Sequence, residues 1–215
     1  FHWYSANSVF GNPSWRFACL TAPSAAVPVL AGPDPALQAA LQRLDALLEH
    51  ATQAVPAAYG RHAATDPYRG LRIRPEDAAH LLSREPGEPV FRLSGHPSHN
   101  GRGLEHDVPP GLRRLAEVYG LEPFDLDVIL IALAPEIDLR YQRLYAYLQD
   151  DVTCKLPTID LVLNLLCPTR EARHSRQGHF TTAAPLRRRA ILHLLPEPTG
   201  RPLLARSLVL DPQII

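Results

Sequence analysis

The chain has 215 residues, of which 46% are hydrophobic and 20% charged, and its 22 basic side chains balance 22 acidic ones. This composition is typical of one or two globular domains and excludes a disordered chain, which would have too few aliphatic residues to fold. Zero net charge also argues against a protein that binds nucleic acid by neutralising many phosphates. The charge is unevenly distributed, however: residues 168–215 carry 8 basic and 3 acidic side chains, while residues 109–167 carry 5 and 9. The C-terminal block is therefore basic.

The cysteine count and the apolar runs indicate where the protein works. Cys19, Cys154 and Cys167 form no CxxC pair, and their odd number argues against a disulfide scaffold or a four-cysteine zinc site. The longest apolar run, over residues 128–135, is far shorter than the roughly 20 residues that span a bilayer. We therefore predict a cytoplasmic protein without a membrane span. The sequence contains no Met, even at position 1, which predicts that it is a fragment of a longer protein.

The N-terminal half predicts two helices within irregular segments. The first thirty or so residues show neither helical nor strand periodicity and are interpreted as an irregular arm. Asp34 followed by Pro35 is a helix start signal, and the amphipathic pattern that it opens continues to about Val55. Pro75 opens a short helix through Leu82. One face of the longer helix carries Leu37, Leu41, Leu44 and Leu48.

A linker follows these helices. Residues 83–110 are dense in Gly, Pro, Ser, His and Asn, which is typical of a connecting segment. We place a boundary near residue 108 and predict two regions: residues 1–108, with the arm, the amphipathic helix and the linker, and residues 109–215, a single domain.

The sequence of the second region predicts five helices and a hairpin. The fourth and fifth helices are separated by a three-residue break at Cys167-Pro168-Thr169, the spacing of a helix-turn-helix. Two apolar runs, Ile191 to Leu195 and Leu203 to Leu210, flank a turn-rich segment and predict the strands of a hairpin. This order predicts an α+β, predominantly helical chain that ends in a winged-helix domain. The helices are expected from Leu112 to Tyr119, from Pro123 through Ala134, from about Asp138 to Asp150, from Thr158 to Cys167, and from Thr169 toward Gly178.

The sequence contains few features of a catalytic site. The phosphate-binding loop GxxxxGK[ST] needs glycines near a lysine, and the only lysine, Lys155, has none. The GxG at Gly101-Arg102-Gly103 has no third glycine and no preceding strand, so it does not indicate dinucleotide binding. The carboxylates Glu136, Asp138, Asp150 and Asp151 are the candidates for a general acid and base pair. Glu136 and Asp138 are better interpreted as cap and first-turn acids at a helix junction, with no histidine or nucleophile beside them, and Asp150-Asp151 lies at or beyond the end of the third helix. We therefore predict no catalytic site and no bound cofactor, and a small hydrolase ranks last among the possible functions.

The loop over residues 95–107 is rich in metal-ligating residue types. His96, His99, His106 and Asp107 are side chains that zinc or nickel would bind. Their spacing matches no helical i, i+4 pair, so the preferred interpretation is a solvated linker, with a metal site as the alternative.

The basic block forms the candidate interaction surface. Arg170, Arg173 and Arg176 are three residues apart and share one side of the fifth helix. If that helix reads DNA, these side chains would contact phosphates or guanine edges in the major groove. The alternatives are a solvated face and a surface that docks against an acidic partner. The complete candidate set is Arg170, Arg173, Arg176, Arg187, Arg188, Arg189, Arg201 and Arg206.

Several segments resemble a known family. The segments Leu121 to Leu130, Ala132 to Tyr141 and Leu144 to Asp151 are similar to the variant winged-helix domain that lies N-terminal to the ATPase module in a group of bacterial AAA-family ATPases. Pro157-Thr158 and the wing segments Leu192 to Pro196 and Pro202 to Arg206 also fit this pattern, as does the upstream segment Asp66 to Leu71, and the most specific part is Pro123 to Asp151.

The resemblance implies a non-catalytic regulatory region. In the family, an ATPase module with Walker motifs follows this region, and ATP and Mg bind there. The resemblance therefore implies that this chain binds a protein partner, or packs on its own ATPase module, and couples recognition to ATP hydrolysis. The alternative from a different class is a DNA-binding winged-helix module that uses the arginine block.

Overall fold

The computed structural model describes residues 34–60, 75–91, 108–195 and 200–215. The arm over residues 1–33, the segment Asp66 to Leu71 and the loop holding His96, His99, His106 and Asp107 lie outside the described residues. The described part contains α1 (Pro35–Tyr59), α2 (Pro75–Leu82), α3 (Pro110–Tyr119), α4 (Pro123–Ile137), α5 (Arg140–Leu148), α6 (Ile159–Leu166), α7 (Arg170–Arg176), α8 (Pro185–Arg188), β1 (Leu192–Leu194) and β2 (Leu208–Leu210).

Helix α1 packs along the bundle formed by α4, α5 and α6. The Asp34 carboxylate accepts a hydrogen bond from the Ala36 backbone N–H at 2.9 Å, which caps the helix start. The helix continues to Tyr59 through Pro56, beyond the end expected near Val55. The Tyr59 hydroxyl donates to the Leu148 carbonyl at 2.9 Å, so the end of α1 is tied to the end of α5. Helix α2 contacts α1 and contains no buried residue.

Helix α4 is the centre of the core. It is buried at eleven of its fifteen positions, on all sides, as a continuous apolar sequence predicts. The Glu122 backbone N–H donates to Asp125 Oδ2 at 2.9 Å and closes the helix start. Helices α1, α5 and α6 and strand β2 all contact α4. A single helix therefore supports both the helical bundle and the wing.

Helix α5 fastens to α4 through a buried tyrosine. The Tyr145 side chain is fully buried, and its hydroxyl donates to the Ile131 carbonyl at 2.8 Å. Burial raises the pKa of this phenol well above its ordinary value, so Tyr145 remains a hydrogen-bond donor. Tyr141 and Leu148 lie on the same buried stripe, as the i, i+4 and i+7 spacing predicts.

We expect Tyr145→Phe to lower the free energy of unfolding by about 1–2 kcal/mol, because the Ile131 carbonyl would lose its buried donor. Urea denaturation of the full chain measures this change. Tyr119→Phe, at a half-buried tyrosine of α3, is the control and should change stability by less than about 0.5 kcal/mol. Equal effects of the two substitutions would contradict the role given to the Tyr145 hydroxyl.

The turn between α5 and α6 is organised by one glutamine. Gln149 Nε2 lies 3.0 to 3.2 Å from the carbonyl oxygens of Tyr145, Cys154 and Leu156, which share its two N–H groups. Its Oε1 accepts from the backbone N–H and the hydroxyl of Thr158. Thr158 Oγ1 in turn accepts from the Leu161 N–H at 3.2 Å and caps α6. The entry angle of the helix-turn-helix is therefore held by side chains.

The wing is shorter than the sequence predicts. Strands β1 and β2 pair antiparallel, with Leu192 opposite Leu210 and Leu194 opposite Leu208. The predicted strand over Leu203 to Leu210 is wrong in its first part, because Leu203–Ala205 form a 3₁₀ helix. Pro202 starts this tight turn, and its carbonyl accepts from the Ala205 N–H at 3.0 Å. Beyond it, Ser207 bridges to Thr158, so this end of the wing pairs with the entry to α6.

Candidate interaction surface

Helix α7 occupies the position of the second helix of a helix-turn-helix. Thr169 caps it by accepting from the Ala172 N–H at 3.2 Å, as predicted. The α-helix ends at Arg176, and the chain continues as a 3₁₀ helix over Gln177–Phe180. The α-helical part is therefore shorter than the predicted run toward Gly178. Residues at spacing three on such a short helix need not share one environment, and the three arginines of α7 have separate partners.

Arg173 points into the protein. Its side chain is 9% exposed, forms an ion pair with Asp160, and donates to Asn164 Oδ1. Asn164 Nδ2 donates to Asp160 Oδ2 at 2.7 Å, which closes the network on α6. The Val90 backbone N–H also donates to Asn164 Oδ1, at 3.0 Å. Arg173 therefore joins α7 to α6 and is unavailable to an external ligand.

Arg170 faces the segment that precedes the domain. Its guanidinium forms an ion pair with Glu85, and both side chains are more than half exposed. Gly87 lies against the same arginine, since a Cβ at this glycine would be 3.2 Å from Arg170 Cγ. Residues 85–87 therefore cover one side of Arg170.

Arg176 belongs to a third cluster, at the start of α4. Its Nη1 lies 2.7 Å from Glu122 Oε2 and 3.0 Å from His179 Nε2, and its guanidinium stacks on the Phe124 ring with the centroid 4.9 Å away. His179 Nδ1 is 2.7 Å from Asp125 Oδ1. Because Arg176 can only donate, His179 accepts at Nε2 and donates to Asp125 from Nδ1. Both ring nitrogens are thus engaged in a structural network.

The remaining arginines are scattered. Arg187 donates to the Phe180 carbonyl at 3.4 Å, while Arg188 and Arg189 are exposed at the end of α8. Arg201 is exposed on the wing and contributes to lowering the pKa of Asp151, a shift caused mainly by the hydrogen bond from Thr153. Arg206 is half-buried beside the start of α6. The structure thus divides the eight arginines among several locations.

The other candidate residues fit a structural role. Asp138 follows α4 and its Oδ1 accepts from the Arg140 N–H at 2.8 Å, as expected of a residue at a helix junction. Asp151 Oδ1 accepts from the backbone and hydroxyl of Thr153. Burial raises the pKa of the Cys167 thiol to about 11, even though Arg176 and Arg173 act in the opposite direction, so this cysteine is a poor nucleophile. Among the described residues, no group of three His, Cys, Asp or Glu side chains is placed to hold a metal ion.

Sequence reasoning missed the acidic and amide partners of α7. Asp160 and Asn164 stand four residues apart on α6, a spacing that places them on one face, and this was the available signal. Glu85 lies 85 residues from Arg170 in the chain, and no local pattern links the two.

The helix-turn-helix, the two-stranded wing and the central helix α4 agree with a comparison against known families. Residues 96–215, more than half of the chain, match the model of the family described as winged helix domain, variant. The chain belongs to this family. No curated protein and no solved structure matches the chain. Within the part that the structure describes, no helix of this winged-helix protein is both long enough and apolar enough to cross a membrane.

Proposed function

We propose that this winged-helix protein is the N-terminal regulatory region of a bacterial AAA-family ATPase and that it recognises a protein partner. The segment Pro123 to Asp151 resembles the corresponding region of those ATPases, which supports an ATPase as the full-length protein. The family match over residues 96–215 supports the fold on which the proposal depends. In this proposal, residues 1–108 form a leader whose helix α1 packs on the domain, and residues 109–215 form the domain itself. ATP and Mg would bind the ATPase module, and this region would contribute recognition.

One observation carries the choice of a protein partner over DNA. The three arginines of α7, the helix that would enter a major groove, each have a carboxylate within the chain: Glu85 for Arg170, Asp160 for Arg173 and Glu122 for Arg176. Phosphate binding depends on releasing counterions from uncompensated cations. The surface of α7 is electrically balanced, which favours recognition of a protein.

DNA binding remains the second candidate. It is supported by the exposed arginines Arg188 and Arg189 at the end of α8 and Arg201 on the wing. The second helix of a helix-turn-helix is the one that enters the major groove, and the arginines of α7 are already paired, so these side chains would have to bind phosphates without help from α7.

The continuation of the encoding gene beyond Ile215 tests the proposed parent. We expect a GxxxxGK[ST] motif within about the next hundred codons, since that loop and its lysine hold the phosphates of ATP. Its absence would contradict the proposed ATPase. With the motif present, deletion of residues 1–215 from the full-length protein should leave basal ATP hydrolysis measurable and remove its response to the partner.

A further inference from the structure

The segment over residues 84–91, which we call the strap, runs from the end of α2 to the face formed by α6 and α7. Its C-terminal end is held firmly. Phe91 is buried at 4% exposure in the main core, and the Val90 N–H donates to Asn164 Oδ1 at 3.0 Å. Asn164 also accepts from Arg173, so this end of the strap is joined to the buried network of α6 and α7.

The other end of the strap is a tight turn fitted to Arg170. In Glu85-Pro86-Gly87-Glu88, the Glu88 N–H donates to the Glu85 carbonyl at 3.2 Å, and Gly87 has a φ of +82°. Proline in the second position and a positive-φ glycine in the third are typical of a type II turn. The turn brings the Glu85 carboxylate to the guanidinium of Arg170 and places Gly87 against the aliphatic part of the same side chain.

The two ends differ in how easily they can be displaced. The Arg170 side chain is 51% exposed and that of Glu85 71%, and ion pairs in water at this exposure contribute little to stability. A carboxylate from another molecule can therefore replace Glu85 at small cost. The buried Phe91 and the bond from Val90 would keep the rest of the strap in place while the turn lifts away.

We propose that the Glu85 carboxylate, held by the turn Glu85–Glu88, occupies the binding site of a ligand carboxylate on Arg170. When the turn is displaced, Arg170 binds a carboxylate from an acidic peptide of a partner protein. This inference rests on the proposed role in protein recognition and specifies the chemistry of the partner. The strap thereby acts as an autoinhibitory contact, because Glu85 competes with the partner for the same guanidinium.

An acidic peptide fits better than DNA. Displacing the turn releases a single guanidinium, since Arg173 stays buried on Asp160 and Arg176 stays paired with Glu122. One carboxylate can occupy one arginine in a bidentate pair. A DNA backbone gains affinity mainly from several phosphate contacts made together, which this site does not offer.

The test uses a short fluorescein-labelled poly-glutamate peptide and fluorescence anisotropy with the full chain. We expect Glu85→Gln to bind the peptide about two- to five-fold more tightly than the parent, the gain from removing one competing surface ion pair. Glu76→Gln, which removes one exposed acid from α2, is the matched control and should bind within twofold of the parent. Arg170→Ala should abolish the gain in the Glu85→Gln background.

Three results would overturn the inference: equal affinities for Glu85→Gln and Glu76→Gln, a gain that survives Arg170→Ala, or a gain for duplex DNA in place of the peptide. Hydrogen exchange supplies a second readout. Saturating peptide should speed exchange at the Glu88 amide, which the turn protects, and leave the Val90 amide unchanged; unchanged exchange at Glu88 would also count against displacement. None of these results depends on whether an ATPase module follows, so they are independent of the gene test.

Discussion

Arg173→Ala should lower the free energy of unfolding by about 2–3 kcal/mol. Removing one partner of a fully buried ion pair typically costs about 3–5 kcal/mol, and the smaller value follows because Asp160 is 43% exposed and can regain water. The substitution also removes one of the two donors to Asn164 Oδ1, the oxygen that accepts from both Arg173 on α7 and Val90 in the strap, so α7 should loosen from α6.

Denaturant titration of the full chain measures the change, with Arg188→Ala as the control. Arg188 is an exposed arginine of α8, and its removal should change stability by no more than about 0.5 kcal/mol. If Arg173→Ala were as mild as Arg188→Ala, Arg173 would be a surface residue and its assignment to the interior would be wrong.

The unsubstituted protein should lose stability as the pH rises from 5 to 8, and Asp127→Asn should remove this loss. Burial raises the pKa of Asp127 from 3.8 to about 7, against the electrostatic attraction of Arg43 on α1. A carboxyl whose folded-state pKa is raised stabilises the fold fully below its unfolded pKa, and this contribution disappears as the pH rises through the folded pKa. From pH 5 to pH 8 the parent should therefore lose about 2–3 kcal/mol that the asparagine variant keeps.

Unfolding free energies of both proteins at pH 5 and pH 8 test this expectation. Glu136→Gln, at an exposed position of the same helix, is the control and should follow the parent. A parent that becomes more stable between pH 5 and pH 8, while Asp127→Asn does not, would show that the attraction of Arg43 outweighs burial.

Helix caps were the most predictable part of this fold. Thr158 and Thr169 each cap a helix in the structure, and the sequence marks both as a hydroxyl residue ahead of a helical run. Gly120 ends α3 with φ +64°, the left-handed conformation that glycine adopts without strain. Such signals depend on neighbouring residues alone, which is why one sequence suffices to read them.

The start of the wing and the short helix α8 were not predictable in the same way. The apolar run from Leu203 contains residues that suit a strand, but Pro202 and the pairing of Ser207 with Thr158 divide it into a 3₁₀ helix and a short strand. Helix α8 is a single turn over Pro185–Arg188, too short for a helical period to be visible in the sequence.

The sequence predicted which residues form the candidate site, but not which acidic residues pair with its arginines. The concentration of arginine after residue 168 is evident in the sequence. The partners of those arginines are Glu85, Glu122 and Asp160, which come from three separate elements, and side-chain contacts over such separations depend on the packing of the whole chain. The same is true of Gln149, whose polar contacts with Tyr145, the α5–α6 turn and Thr158 follow from the path of the chain around it.

The proposed recognition of protein rather than DNA depends on the arginines of α7 serving contacts within the protein. The most direct measurement is duplex DNA binding as a function of salt for the parent and for the double variant Arg170→Gln/Arg176→Gln, with Arg173 kept for its structural role. We predict affinities and salt slopes that are the same for both proteins. A double variant that binds DNA more weakly, with a slope of log K against log salt reduced by about 1–2, would show that these two side chains bind phosphates and would overturn the proposed preference for protein.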